Sequence, residues 1–267
     1  AAMLQERYPC YVISVPDFLA LDGWVPHQEL LARGALHAVR PEMDVDVVFI
    51  SHQWTSFRHP DPSGEQLSAL KAVLRNLLSG QMTVRSNVML EAVYKYKMLT
   101  SGQEWAARLL SMYLWIDYLS IPQPGAEMDD DAAAPDVEDG GSAPGPPRTS
   151  SLQRHSSDAR LLVPGADAVA DGRVAQLAHQ LRLAVDSIPS YIERCSQLWV
   201  LVPPCHHHDV ADGICDFNAW RRRGWCRMEF AASKLARGAD KPVMVRRDPD
   251  GACSAPTPLA CHGATVA

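Results

Sequence analysis

The stretch "DVVFISHQW", residues 46–54, decides the fold class. It opens with an apolar run containing β-branched side chains and then turns polar at Ser51 and His52. Parallel strands that are covered by helices on both faces have this composition. We therefore expect residues 46–50 to form a buried parallel strand, with Ser51, His52 and Trp54 at its carboxyl end.

Three further segments have strand character, and helical segments lie between them. Strands are predicted at residues 113–121, 197–202 and 241–246, and a short one is possible at residues 11–15. Alternation of strands with helices is typical of an α/β protein with a parallel sheet. The predicted fold is a flavodoxin-like, doubly wound, mostly parallel sheet with helices on both faces.

The helices are predicted from apolar spacing and from capping residues. Leucines three or four residues apart mark one helix: Leu67, Leu70, Leu74 and Leu77. Ser63 and Gln66 have the spacing of a capping box at its start. Further helices are expected at residues 27–39, at 86–112 with a break at 100–102, at 174–185, and at 218–237 with Gly238 as C-cap.

The chain divides into a domain with flanking segments. We interpret residues 1–44 as an N-terminal extension, 45–246 as the α/β domain, and 247–267 as a flexible tail. Residues 124–172 are rich in Pro, Gly, Ser and Asp, and this composition predicts a largely disordered insertion. The insertion is either a tolerated surface loop or a regulatory, phosphorylated segment.

Composition excludes several classes of protein. A net charge of −6 and a pI of about 5.9 argue against nucleic acid or an anionic membrane as partner. No apolar stretch approaches the ~20 residues of a membrane span. The seven cysteines are odd in number and irregularly spaced, which indicates reduced thiols and a cytoplasmic location.

Glu229 is the acidic residue that most needs an explanation. At 100° per residue, it lies beside the apolar stripe of its helix that contains Trp225, Ala232 and Ala236. It also lies near the helix start, close to the strand ends. Such a carboxylate is either a structural ion-pair partner or a functional group.

Two parts of the chain resemble known signalling domains. The segments "SYIERCSQLWVLVP" (190–203) and "WRRRGWCRMEF" (220–230) resemble Toll/interleukin-receptor (TIR) domains, which have a Trp-Cys-x-x-Glu helix after an apolar strand. "VVFISH" (47–52) resembles the opening strand of that family. "LWIDYLSIPQ" (114–123) is similar to the Trp-Ile-Asp segment of heterokaryon-incompatibility (HET) domains, which are relatives of TIR domains.

The resemblance implies an activity and a partner. Many TIR domains cleave NAD at the nicotinamide–ribose bond, and the match carries the catalytic role to Glu229. NAD would then be a substrate, and no separate cofactor is expected. The resemblance also implies homotypic association. The alternative is a non-catalytic self-association module that uses "LSIPQ" (119–123) and neighbouring surfaces.

Five residues are candidate substrate contacts: Ser51, His52, Trp54, Asp117 and Trp225. They lie at predicted strand ends or on the helix of Glu229, and ligands of doubly wound sheets bind beyond the carboxyl ends of the strands. Trp54 could stack on a ring, and His52 could bond to ribose or phosphate. Loop stabilisation is the alternative for both, and Asp117 could instead cap the following turn.

Two polar clusters have weaker claims. "CHHHDVADGIC" (205–215) contains soft ligands, but it lacks the paired Cys-x-x-Cys spacing of a zinc site. We assign no metal site, and a metal-dependent hydrolase is a third, remote hypothesis. Arg221, Arg222 and Arg223 near a helix start could hold a phosphate or form a solvated basic run.

Overall fold

The computed structural model describes residues 6–40, 42–80, 84–85, 99–124, 168–236, 242–246 and 257–258. The strands of these ranges are β1 (Cys10–Ser14), β2 (Leu36–Val39), β3 (Val47–His52), β4 (Val84–Arg85), β5 (Leu99–Thr100), β6 (Tyr113–Ile116), β7 (Gln197–Leu201), β8 (Cys205–His206), β9 (Ile214–Cys215), β10 (Val243–Val245) and β11 (Thr257–Pro258). The helices are α1 (Val15–Ala20), α2 (His27–Ala32), α3 (Glu65–Leu78), α4 (Gly102–Leu109), α5 (Asp117–Ser120), α6 (Ala168–Arg194), α7 (Phe217–Trp220) and α8 (Gly224–Leu235).

Seven of these strands form one sheet in the order β11-β10-β7-β3-β6-β1-β2. The four central strands are parallel, while β1, β2 and β11 add antiparallel edges. Numbered along the chain, the parallel strands lie in the order 2-1-3-4, which is the order of flavodoxin-like sheets. The predicted α/β, flavodoxin-like fold is confirmed.

Helices cover both faces of this sheet, and the apolar part of β3, residues 47–50, is buried on both. Val48 and Ile50 belong to a core cluster with residues of α3 and α4. Val47 and Phe49 point the other way, into a cluster with residues of α6 and α8. This two-sided burial explains why β3 has a continuous apolar sequence rather than an alternating one.

The order of strands fixes where a ligand site belongs. The chain runs from β3 outward to β6 on one side, and then from β7 outward to β10 on the other. The carboxyl ends of β3 and β7 therefore border the switch point, where doubly wound sheets bind ligands. Ser51 and His52 end β3 at this position.

The N-terminal residues have a role that the sequence analysis left unassigned. β1 pairs antiparallel with both β2 and β6, so residues of the predicted extension belong to the sheet. Val12 and Ile13 are fully buried. The helix expected at 27–39 ends early because Gly34, with φ 69°, turns the chain back into β2.

Three predicted element boundaries were wrong. The strand expected at 113–121 stops at Ile116, where α5 begins. The helix expected at 218–237 is two helices, because the chain is extended at Arg223 between α7 and α8. The helix expected at 174–185 is longer, because α6 continues through Pro189 to Arg194 and packs Ile188 and Tyr191 into the core.

The expected capping box of α3 was also wrong. The helix begins after Gly64, and the side chain of Gln66 points inward instead of back to Ser63. Asp61 takes the capping role, since its carboxylate accepts a hydrogen bond from the Leu67 amide at 2.9 Å. The expected apolar face is confirmed, because Leu67, Leu70, Leu74 and Leu77 are all buried.

Several expectations concern residues outside the described ranges. They include most of the predicted insertion, the helical segment at 86–98, Gly238, and most of the predicted tail, of which Thr257–Pro258 pairs with β10. None of the helices in the described part of the chain is long and apolar enough to cross a bilayer.

Candidate functional site

The switch point of the sheet brings together residues from four separate elements. Ser51 and His52 end β3, Asp117 begins α5 directly after β6, and Glu229 lies in the second turn of α8. Trp54 follows β3 in the adjoining loop. The structure therefore groups five of the six residues selected from the sequence, counting Glu229, Ser51, His52, Trp54 and Asp117.

Glu229 is half-buried and turns toward the end of β3, not to an arginine. Its carboxylate accepts a short hydrogen bond from the Ser51 hydroxyl. The Trp220 indole N–H donates in turn to the Ser51 oxygen at 3.0 Å. Ser51 is thereby held in one orientation, with its proton directed at Glu229.

The surroundings of Glu229 favour its neutral form. Burial is the main cause, and it raises the pKa of Glu229 to about 8; the Ser51 hydrogen bond opposes the shift. The negative charge of Asp117 raises this pKa further, whereas the charge of His52 lowers it. A carboxyl group with such a pKa is poised to exchange a proton near neutral pH.

His52 lies between two acceptors and is therefore held as an imidazolium. One ring nitrogen is 2.8 Å from Oε1 of Gln66, and the other is 2.9 Å from Oδ1 of Asp117. The Gln66 amide is fixed in this orientation because its nitrogen donates to the Gln53 carbonyl at 2.8 Å. Both ring nitrogens must donate in this arrangement, which requires the charged form.

Asp117 is the matching anion. Its oxygens accept hydrogen bonds from the His52 ring, the Trp54 indole N–H at 2.8 Å and the Tyr118 amide at 2.6 Å. Burial opposes charge on both partners, but their mutual attraction and hydrogen bonds outweigh it. The pKa of His52 is raised and the pKa of Asp117 is lowered.

Two tryptophans pack around this ion pair. Trp24 stacks on the His52 ring, with centroids 5.7 Å apart and planes 4° from parallel. Trp54 packs edge-on against Tyr118 while it donates to Asp117. The side chain of His52 is only 1% exposed, so its ring has almost no contact with solvent. Its charge instead affects the pKa of Glu229.

The sixth predicted residue, Trp225, is placed differently. It lies one turn before Glu229 on α8 and is 59% exposed. Arg221, Arg222 and Arg223 beside it are also exposed. The indole of Trp225 is free to stack on a ligand, and its predicted substrate contact stays a prediction.

The sequence analysis missed three members of the site. Gln66 was assigned to a helix cap, Trp24 lay in the segment treated as an extension, and Trp220 was taken only as part of a motif. Each reaches the site through tertiary contact. The sequence held one signal for Gln66: it directly precedes Leu67, the first residue of the apolar face of α3, and could therefore point inward.

The Cys205–Cys215 segment forms a small hairpin beneath the site. Cys205 and Cys215 are opposite each other in β8 and β9, and they contact the amide groups of Gln66 and Gln53. Within the described ranges, no three potential ligands are grouped closely enough to hold a metal ion. The described cysteines are buried free thiols, as expected: Cys10, Cys195, Cys205, Cys215 and Cys226.

Comparison of the chain with protein-family models, with curated proteins and with solved structures found no match.

Proposed function

We propose that this protein is a TIR-like signalling domain that hydrolyses NAD at the nicotinamide–ribose bond. The observation that carries the proposal is the position of Glu229, whose partly buried carboxyl group lies at the switch point of the sheet against Ser51. The Trp-Cys-x-x-Glu resemblance points to the same residue. Fold alone would not support an activity, because many functions share flavodoxin-like sheets.

The chemistry fits a single acid. When the glycosidic bond breaks, its electrons go to the pyridinium ring and nicotinamide leaves as a neutral molecule. The ribose becomes an oxocarbenium-like cation, which an ionised Glu229 stabilises electrostatically. Water then adds to the ribose carbon and releases a proton, which the carboxylate accepts.

The two members of the His52–Asp117 pair act on Glu229 in opposite directions. The negative charge of Asp117 raises the pKa of Glu229, whereas the positive charge of His52 lowers it and so favours the carboxylate form needed at the transition state. The cationic nicotinamide ring would act in the same direction on binding. His52 and Asp117 are thus positioning residues in this proposal, with the open substrate contacts left to Glu229 and Trp225.

The direct test is release of nicotinamide from NAD by the purified protein over a range of protein concentrations. We expect release that increases more than linearly with concentration, since homotypic association is part of the proposal. A Glu229→Gln preparation purified in the same way is the blank. No release at any concentration, crowding agents included, would contradict the proposal.

Ser51→Ala is expected to shift the pH dependence of this activity. The Ser51 hydroxyl favours the charged form of Glu229, so its loss raises the pKa of that carboxyl group. Activity requires ionised Glu229 and should rise with pH through about 8 in the wild type. In Ser51→Ala the rise should occur at higher pH, with about tenfold lower activity at pH 7. An unchanged pH profile would contradict this role of Ser51.

A non-catalytic self-association module is the second candidate. Its support is the exposure of two aromatic side chains, Phe57 at 70% and Trp225 at 59%. The segment "LSIPQ" does not provide that surface by itself, because Leu119, Ser120 and Ile121 are buried.

We also place the protein in the cytoplasm, on the grounds of its buried free thiols.

A further inference from the structure

Trp24, which stacks on His52, also lines a groove to which neither His52 nor Asp117 contributes. The groove has a volume of about 590 Å³ and is walled by the α1–α2 loop and by α3. This volume is within the range of small-molecule sites. Glu229 does not line the groove, so the NAD proposal does not specify which ligand the groove binds.

Two cations of α3 face this groove. Lys71 and Arg75 are one turn apart on the same side of the helix, and both line it. Lys71 is only 8% exposed, and its ammonium group donates to the Leu21 carbonyl oxygen. In the part of the chain that the structure describes, no carboxylate forms an ion pair with either side chain.

The acidic residues of the groove do not neutralise these cations. The Asp61 carboxylate is occupied by the Leu67 amide, the Trp24 indole N–H and the Ser63 hydroxyl, at 2.9, 3.1 and 3.4 Å. Asp22 is exposed and only partly offsets the charge on Lys71. Burial, together with the charge of Arg75, lowers the pKa of Lys71. A buried ammonium in this position is stabilised by an anionic ligand.

We propose that this groove binds a phosphate-bearing small molecule, with the phosphate held between Lys71 and Arg75. A phosphate offers several charged acceptors, enough for the remaining ammonium protons of Lys71 and for the guanidinium fork of Arg75. The open volume beyond the cations accommodates the rest of the molecule. The Glu229 carboxylate does not line this site, and Trp24 connects the site with the ion pair by stacking on His52.

Calorimetric titration with inorganic diphosphate and with ADP, at constant ionic strength, tests the proposal. Both ligands are expected to bind the wild type with submillimolar dissociation constants. Lys71→Met and Arg75→Gln should each weaken binding at least tenfold. Arg75 is exposed, so its variant keeps the test valid if Lys71→Met fails to fold.

Arg33→Gln is the matched control, because this arginine is paired with Glu29 on α2, outside the groove. It should bind both ligands as the wild type does. Absence of binding to the wild type, or equal weakening in the control, would overturn the proposal. Binding of diphosphate without ADP would overturn the assignment to a phosphoester. Because the readout is binding rather than nicotinamide release, failure here is distinct from failure of the NAD proposal.

Discussion

Replacing Glu229 by glutamine is expected to abolish NAD cleavage and, at pH 7, to stabilise the fold. Nicotinamide release should fall about 10³-fold, which is the typical loss when one preorganised electrostatic group is removed. The free energy of unfolding should rise by roughly 2–3 kcal/mol. Gain of stability with loss of activity is expected for a group that is placed for chemistry.

The sign of the stability change follows from the raised pKa. The folded protein holds the Glu229 proton up to about pH 8, whereas the unfolded chain releases it near the ordinary value of 4.5. Folded-state stability from this group is therefore complete below pH 4.5 and declines as pH rises through 8. Glutamine resembles the protonated form and retains an oxygen that accepts from Ser51, so it avoids this loss.

Urea unfolding at pH 5, 7 and 8.5, together with nicotinamide assays, measures both effects. The difference between Glu229→Gln and wild type should grow with pH across this series. Glu193→Gln is a suitable control, because Glu193 is exposed on α6 and should change neither quantity appreciably. Unchanged activity in Glu229→Gln would show that Glu229 is not catalytic, and lower stability at pH 7 would contradict the raised pKa of its carboxyl group.

The parallel centre of the sheet was predictable because its strands are buried on both faces. The segments around β3, β6, β7 and β10 carry continuous apolar runs, and such runs have few alternative structures. β1 and β2 were harder to assign. They are short antiparallel strands at one side of the sheet, and the edge strand β2 contains His37 and Ala38, which are exposed.

The candidate site was predictable as far as position along the chain determines it. Strand ends and the helix face of Glu229 located Ser51, His52, Asp117 and Glu229 at one edge of the sheet. The pairing within that edge was not predictable. Which acceptor faces His52 depends on the rotation of α3, which brings Gln66 inward, and on the early end of β6 at Ile116.

Asp117→Asn is expected to destabilise the protein by about 3 kcal/mol, since it removes the counter-ion of the buried, charged His52. The two Asp117 oxygens accept from three N–H groups. In either orientation of an asparagine amide, its NH₂ group faces another N–H donor. His52 also loses its counter-ion and must release a proton or remain charged and unpaired.

The loss should depend on pH in a defined way. The lowered pKa of Asp117 gives stability above its unfolded-state pKa, and this stability is lost as pH falls through the folded-state pKa. The raised pKa of His52 gives stability below its unfolded-state pKa, which is lost as pH rises through the folded-state pKa. The difference between wild type and Asp117→Asn should therefore be largest at weakly acidic pH and smaller at alkaline pH.

Urea unfolding and ¹⁵N NMR of the imidazole groups check this prediction. At pH 6 the wild type should show both ring nitrogens of His52 protonated, and Asp117→Asn should show one. Asp46→Asn is the control, because Asp46 forms an exposed pair with Arg108 at 3.2 Å and should cost less than about 1 kcal/mol. In a His52→Gln background, Asp117→Asn should destabilise the protein less, because the His52 charge that Asp117 neutralises is absent. Equal losses in Asp117→Asn and Asp46→Asn would mean that His52 is neutral in the folded protein.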